Sequence, residues 1–354
     1  MILSAYQFAD GVELAPESIA AAANTVRAGG LIGLPTETVY GLGADASDAQ
    51  AVGHIFSAKG RPADHPLIVH VAAFDGGAGG VAHYCRQVPA FAQSLMDAFW
   101  PGPLTLILPR REGVGAAAAG GQDSIGLRCP SHPVAQAVLE ALRKPLAGDA
   151  EVWGIAAPSA NKFGRVSPTT AAHVHSEFGD DLLILDGGPC EVGIESTIID
   201  CTRGAPVLLR PGAITPAQVE AACGRTLLSK EELLAQNQPG PRASGTLESH
   251  YAPSATVRLM DAKALQAALD LLASAQAPDA RPTIALYHRS PLYVRSPLVV
   301  AHRMPTHAPA AAHELFAKLR EMDAQGVKLI WVEAPPEASE WDGVRDRLTR
   351  AAVS

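Results

Sequence analysis

The 354-residue sequence lacks any uncharged apolar run near the roughly 18 residues that suggest a membrane span. Its five cysteines, Cys85, Cys129, Cys190, Cys201 and Cys223, form no CxxC pair and are odd in number. That spacing excludes a disulfide framework or a thiolate zinc site and fits buried free thiols in a reducing compartment. The opening MILSAYQFAD has no positive region ahead of a long apolar core, so no secretion signal is expected and the chain is read as cytoplasmic. No GxxxxGK[ST], HExxH or GxSxG occurs, which removes a P-loop ATPase, a zincin and a serine hydrolase with a nucleophile elbow. Basic residues are also short: 28 Lys plus Arg stand against 36 Asp plus Glu, a formal charge of −8. Nonspecific nucleic-acid binding relies on many cationic contacts to phosphate, so it is expected to be weak at most. A local basic pocket for a nucleotide remains compatible with that balance.

What is present is an alternation of short apolar runs and helical stretches. LIGLP at 31–35, PLIVHV at 66–71, LTLILP at 104–109 and SIGLR at 124–128 read as strands. VWGIAAP at 152–158, LLIL at 182–185, STIID at 196–200 and VLLR at 207–210 extend the series. Several are almost wholly apolar, as strands covered on both faces are. Between them, Val52, Ile55 and Phe56 share a helix face before the stop at Gly60 and Pro62. A second helix follows Ser131, carries Val134, Val138 and Leu142, and ends at Lys144 before Pro145. The fold class is α/β with some antiparallel character. Ser229 and Glu232 have capping-box spacing, and QNQPGPRASG at 236–245 reads as an extended linker or active-site loop. Beyond it, ATVRLM at 255–260, TIALYH at 283–288, LVVAH at 298–302 and KLIWVE at 328–333 are strand candidates. Helices are expected to about 276, from His313 to Gln325 and from Asp342, completing a smaller α/β unit.

The chemistry-bearing residues are scattered along this frame. Lys59 and Arg61 lie in KGRP at a helix end, where they suit either an anion between them or simple compensation of the helix dipole. Pro158, Ser159 and Asn161 leave a strand and enter a turn of small hydrogen-bonding groups, and Ser167 before Pro168 reads as a helix N-cap. Such an arrangement suits an oxyanion or phosphate cradle as well as ordinary turn chemistry. Arg128 and Arg210 end apolar runs, at the sheet edge where α/β ligands bind or solvent waits. Thr36, Thr38 and Tyr40 alternate along one side of LPTETVYGLG, and 195–197 gives a comparable polar break. Gly41, Gly43 and Ala46 satisfy only a relaxed dinucleotide spacing after a turn. His173 and His175, two apart on a helix, face different ways, and no metal site with dedicated protein ligands is identifiable.

Taken together, PTETVYGLG at 35–43, KGRPADHPLIVH at 59–70, GPLTLIL at 102–108 and LRCPSHP at 127–133 resemble the Sua5-type threonylcarbamoyl-AMP synthases of the YrdC/Sua5 family. PSAN at 158–161, SPT at 167–169, GIESTIID at 193–200, LLRPGAI at 208–214 and SHYAP at 249–253 continue the resemblance in order. It implies a YrdC-like twisted mixed-sheet catalytic domain at 1–212 and a linker and active-site lid at 213–254. A smaller Rossmann-like α/β Sua5 domain would follow at 255–354. It implies formation of threonylcarbamoyl-AMP and pyrophosphate from L-threonine, bicarbonate and ATP with Mg²⁺, feeding N6-threonylcarbamoyladenosine at position 37 of tRNA. By that resemblance Lys59, Arg61 and Asn161 are catalytic. ATP falls to Lys59, Ser124, Ser159, Ser167 and Arg210, with His250 and Tyr251 as lid contacts. Threonine falls to Thr36, His70, Arg128 and Ser196. A transient contact with the tRNA threonylcarbamoyl transferase complex follows from the product, with no membrane partner and little direct binding of tRNA. The competing readings are a YrdC-like carbamoyltransferase and a non-catalytic RNA-binding factor.

Overall fold

The computed structural model describes residues 1–7, 13–73, 79–144, 151–235, 240–245, 250–273 and 281–353. The chain divides into two compact units, 1–163 with 167–246, and 164–166 with 247–354.

In the first unit, eleven strands among the described residues join in one mixed sheet. The order runs Ile2–Ser4, Leu183–Asp186, Ile32–Leu34, Gly41–Asp45, Ile155–Ala156, Ile68–His70. It continues through Ser124–Arg128, Leu104–Pro109, Thr197–Asp200, Val207–Arg210 and Leu228–Ser229. All eight apolar runs of the sequence thus enter the sheet, with parallel and antiparallel neighbours mixed. Helices Pro16–Arg27 and Pro133–Arg143 cover part of one face through Ile19, Val26, Val134 and Val138 on Ile32, Leu34 and Ile155. The other face packs against Ala49–Lys59, Ala90–Phe99 and Pro216–Cys223 through Val52, Ile55, Leu95 and Val219.

Local chemistry explains the boundaries. Asp48 caps the helix Ala49–Lys59 by accepting from the Gln50 and Ala51 N–H groups, and Gly60 closes it at φ 64° in the left-handed region. The last residue of this helix is Lys59, so its two terminal devices fix where that side chain starts. Ser229 and Glu232 do form a reciprocal capping box, with N–H to side-chain oxygen distances of 2.7 and 3.1 Å.

Three local expectations need correction. Ser167 is not a helix cap: the helix is Ala171–Phe178, capped by Thr170. The Ser167 hydroxyl instead donates to Glu195, and the Pro168 and Thr169 carbonyls accept from Tyr40 and Cys190, which holds 167–169 out of the helix. Gly41–Asp45, absent from the expected strands, is a buried strand. The helix expected at His313 starts at Ala308.

The second unit carries a wholly parallel four-stranded sheet in the order Thr256–Met260, Leu329–Glu333, Ile284–His288, Val299–Arg303. Helices Ala262–Ala273 and Ala308–Ala324 intervene along the chain and Asp342–Ala352 follows the last strand, the Rossmann-like pattern. The anion-accepting position after Ile284–His288 is filled from within. Glu333 accepts the Arg289 and Ser290 N–H groups, each at 2.7 Å, and the Ser290 hydroxyl at 2.7 Å.

Candidate active site

Residues two apart on a strand share a face, and the first unit uses this to gather its polar groups. His70 follows Ile68, Arg128 follows Gly126, Ile107 follows Thr105 and Ile198 follows Ser196. Ile68, Ile107, Ile198, Val207 and Leu209 form a small apolar floor, and Ala243 packs against it. A shallow cleft opens there, bordered by Thr105, Gln122, Ser124, Gly126, Arg242 and Ser244 among others. The described part of the linker, 240–245, lies over this floor as a strap. Gln122 grips it by accepting from the Arg242 N–H at 2.8 Å and donating to the Arg242 carbonyl at 3.2 Å. The Arg242 guanidinium reaches Asp64 at 2.8 Å and the Gly120 carbonyl at 3.0 Å.

The first polar group centres on Lys59. Its ammonium is buried and donates to the Ser159 and Asn161 carbonyls, each at 2.5 Å. Burial first, and the Arg61 charge second, push its pKa well below the usual lysine value. The PSAN turn can approach because Gly41 has no Cβ; one built there would stand 2.9 Å from the Ala157 Cβ. Asn161 Nδ2 donates to the Lys162 carbonyl at 2.7 Å. Arg61 donates to the Pro66 carbonyl at 3.1 Å and reaches the Ser244 hydroxyl of the strap at 3.5 Å. Arg210 donates to the Ser244 carbonyl at 2.9 Å from one arm and to the Ser196 carbonyl at 3.0 and 3.1 Å from the rest of its fork. Ser244 therefore stands between two arginines, with oxygens where an anion's oxygens would be held.

The second group centres on Arg128, buried at the end of its strand. One arm donates to the Thr38 hydroxyl at 2.7 Å, and the other lies 2.7 Å from Glu37 Oε1. The Thr38 hydroxyl meets that of Thr36 at 3.0 Å, and Thr36 donates to the Val39 carbonyl at 2.6 Å. His70 pairs in register with Arg128 on the adjacent strand. Burial, then the Arg128 charge, lower its pKa to about 3, so its imidazole is neutral at physiological pH. Ser196 stands with Arg210 instead, hydrogen-bonded to Thr105 at 2.7 Å and receiving an Arg210 N–H at 3.2 Å.

The structure thus brings Lys59, Arg61, Ser159, Asn161 and Arg210 together through direct contacts or the shared Ser244, and Thr36 and Arg128 together through Thr38. Arg210 links to the sheet beside the second group through Ser196. Ser124 lines the cleft, and Ser167 is buried on Glu195. His250 and Tyr251 are described in the second unit. Tyr251 is fully buried, 5.3 Å from the Phe316 ring and with Arg347 5.6 Å above its own. Its φ of 64° is the one positive value at a non-glycine residue among the described residues. Residues 236–239 and 246–249 of the expected lid lie outside the described residues. Sequence reasoning passed over Glu37, Thr105 and Gln122. Glu37 sits between two threonines in PTET and gave a signal only as turn polarity; the other two gave none.

The arrangement can hold a polyanion against one set of cations and a small carboxylate against another, on one sheet face. Comparison with known proteins agrees. The Sua5/YciO/YrdC family model, described as telomere recombination, matches residues 24–212, and the threonylcarbamoyl-AMP synthase C-terminal domain matches 214–353. The threonylcarbamoyl-AMP synthase of Pyrococcus abyssi is 37% identical over 338 residues, covering 94% of this chain and 93% of its own. That of Bacillus subtilis is 35% identical over 336 residues, covering 94% and 92%. The crystal structure of P. abyssi Sua5 complexed with L-threonine matches with a TM-score of 0.81 at 34% identity, over 100% of this chain and 98% of that one. The two-domain architecture, the ordered motifs and these full-length matches place the chain in the Sua5 branch of the YrdC/Sua5 family, the threonylcarbamoyl-AMP synthases.

Proposed function

We propose that this chain is an L-threonylcarbamoyladenylate synthase, joining L-threonine, bicarbonate and ATP into threonylcarbamoyl-AMP with release of pyrophosphate. The product supplies the N6-threonylcarbamoyladenosine modification at position 37 of tRNA. The observation that carries the reading is the pair of cationic centres on one sheet face, Arg61 with Arg210 around Ser244 and Arg128 with its hydroxyls. ATP phosphates take the first and the threonine carboxylate the second.

In this mechanism the threonine amine attacks the bicarbonate carbon, the C–OH bond breaks, and water and an N-carboxylate are formed. One of its oxygens attacks the α-phosphorus, and the bond to pyrophosphate breaks. No covalent link to the protein forms, so the protein's work is alignment and charge stabilisation. Lys59 fixes the Ser159–Asn161 turn with two of its three N–H donors, leaving one for a phosphate oxygen. Arg61 and Arg210 exchange Ser244 for phosphate oxygens when nucleotide enters. Ser124, Ser159 and Ser167 add hydroxyls on the nucleotide side. Thr36, His70 and Ser196 surround threonine. Mg²⁺ bound with ATP would supply charge neutralisation at the departing phosphates. Among the described residues no group of three His, Cys, Asp or Glu is placed to hold a metal.

We extend the reading to the linker as a lid that protects the carbamate from water. No helix of the described residues is long and apolar enough to cross a membrane. The reading places the enzyme in the cytoplasm, handing its product to the tRNA threonylcarbamoyl transferase complex by transient contact. The test is omission: pyrophosphate release should require ATP, Mg²⁺, threonine and bicarbonate together. Equal release without threonine would refute the substrate, and carbamoyl-phosphate consumption without threonine would favour a carbamoyltransferase. Tight, salt-sensitive tRNA binding without ATP turnover would favour the RNA-binding reading.

A further inference from the structure

We propose that Glu37 receives the α-ammonium group of the amino-acid substrate, opposite the Arg128 guanidinium that receives its carboxylate; this rests on reading the Arg128 pocket as the threonine site. Glu37 is 3% exposed. Its Oε1 lies 2.7 Å from Arg128, while its Oε2, equally buried, has no hydrogen-bond partner among the described residues. A buried carboxylate oxygen without a partner is costly, so a donor is expected there in the working state. His70 Nδ1, on the strand paired with that of Arg128, is likewise buried and without a partner. An unmet carboxylate oxygen held beside a buried guanidinium calls for a ligand donor.

The sign of the charge identifies which ligand. A pocket for a simple carboxylate would set Arg128 among neutral donors, because a fixed carboxylate beside it repels the incoming anion. Glu37 is tolerable only if the ligand also brings a cation. Other neighbours of Glu37 do not supply one: the thiols of Cys129 and Cys190 are held up in pKa by burial, and His132 is held down by it. A guanidinium, a carboxylate and the hydroxyls of Thr36 and Thr38 together suit a zwitterion bearing its own hydroxyl. Glu37 thereby becomes a specificity residue for amino acids over hydroxy acids, rather than only a prop for Arg128.

Calorimetric titration of the full-length protein with L-threonine and with (R)-3-hydroxybutanoate separates these roles. The second ligand keeps the carboxylate, hydroxyl and methyl groups and lacks the nitrogen. The wild type should bind threonine about 10- to 100-fold more tightly, the worth of one hydrogen bond to a charged group. Glu37→Gln should lose most of that preference by weakening threonine alone, and Glu37→Asp should keep part of it. Equal binding of both ligands by the wild type would overturn the proposal without any variant, should Glu37→Gln fail to fold. A proportional loss of both ligands in Glu37→Gln would reduce Glu37 to a residue that positions Arg128, and would overturn it too. If the wild type binds ATP but neither ligand, the threonine reading of the pocket falls first and the Glu37 assignment with it.

Discussion

At the scale of single residues, the two cationic centres differ in what their removal should do. Arg61 spends one contact on the Pro66 carbonyl and another on the strap, so its guanidinium is available to a ligand that displaces Ser244. Arg61→Ala should lower the rate of pyrophosphate release by roughly 30- to several-thousand-fold, the equivalent of about 2–5 kcal/mol for a charge-assisted contact at a desolvated anionic site. Arg61→Lys should rescue only part of this, since an ammonium lacks the planar fork. Steady-state kinetics with a melting curve for each variant checks the claim, and near-normal turnover in Arg61→Ala would return the residue to helix-end chemistry.

His70 allows a prediction in stability. Its imidazole titrates near 6.5 when unfolded and near 3 when folded. Below pH 6.5 the unfolded chain therefore binds a proton that the folded chain does not. Stability contributed by this group rises with pH between those values and is lost as pH falls. Between pH 6.5 and 5.0 the loss should be about 1.5 kcal/mol, and His70→Gln should lack it. Urea unfolding of both proteins at the two pH values measures the difference. Lys59, Arg61 and Asn161 were legible in the sequence because they sit at a helix end and in a turn, where cations and small amides announce themselves. Glu37 was not, because a carboxylate between two threonines looks like any polar turn until burial and Arg128 are seen.

At the scale of elements, the strand Gly41–Asp45 shows where propensity misleads. Two glycines, an alanine and an aspartate are poor strand formers, and no strand is expected here from the sequence. The position demands them: a Cβ on Gly43 would stand 2.8 Å from the Ile155 methyl of the next strand and 3.3 Å from Ile32 on the other side. Gly43→Ala should cost about 1–3 kcal/mol by overpacking, read as a lower denaturant midpoint with unchanged slope. The capping box and the two helices around Lys59 and Leu142 were predictable because their stop signals are local. The Thr170 cap was not, since long-range hydrogen bonds hold 167–169 extended.

The strap is the element with the clearest functional consequence. Arg242 is held by Gln122, Asp64 and the Gly120 carbonyl, and Ser244 by two arginines. Its ion pair is exposed and contributes little by itself, but the hydrogen bonds to Gln122 fix its backbone. Gln122→Ala, which removes both bonds to the Arg242 main chain, should accelerate proteolysis at the strap and raise KM for ATP more than it lowers kcat. ATP with threonine should slow cleavage of the wild type. Cleavage indifferent to bound ligands would make the segment a tether.

At the scale of the molecule, the division into a mixed-sheet unit and a smaller parallel one was legible from the spacing of apolar runs and the Pro- and Gly-rich stretch between them. The grouping of 164–166 with the second unit was not, because it depends on long-range pairing of Gly164 with Ala252 and of Val166 with Arg320. The second unit's Glu333 already occupies its own N–H groups after Ile284–His288, whereas the first unit offers cations to a ligand.

The central claim concerns which atoms are joined, and isotopic labelling reads this directly. The full-length protein is incubated with ATP, Mg²⁺, L-threonine and ¹³C-bicarbonate, and the nucleotide products are identified by mass spectrometry. The account predicts a threonylcarbamoyl-AMP that carries one ¹³C, formed together with pyrophosphate. Pyrophosphate released with only unlabelled AMP-containing products, or a labelled product formed without threonine, would contradict it.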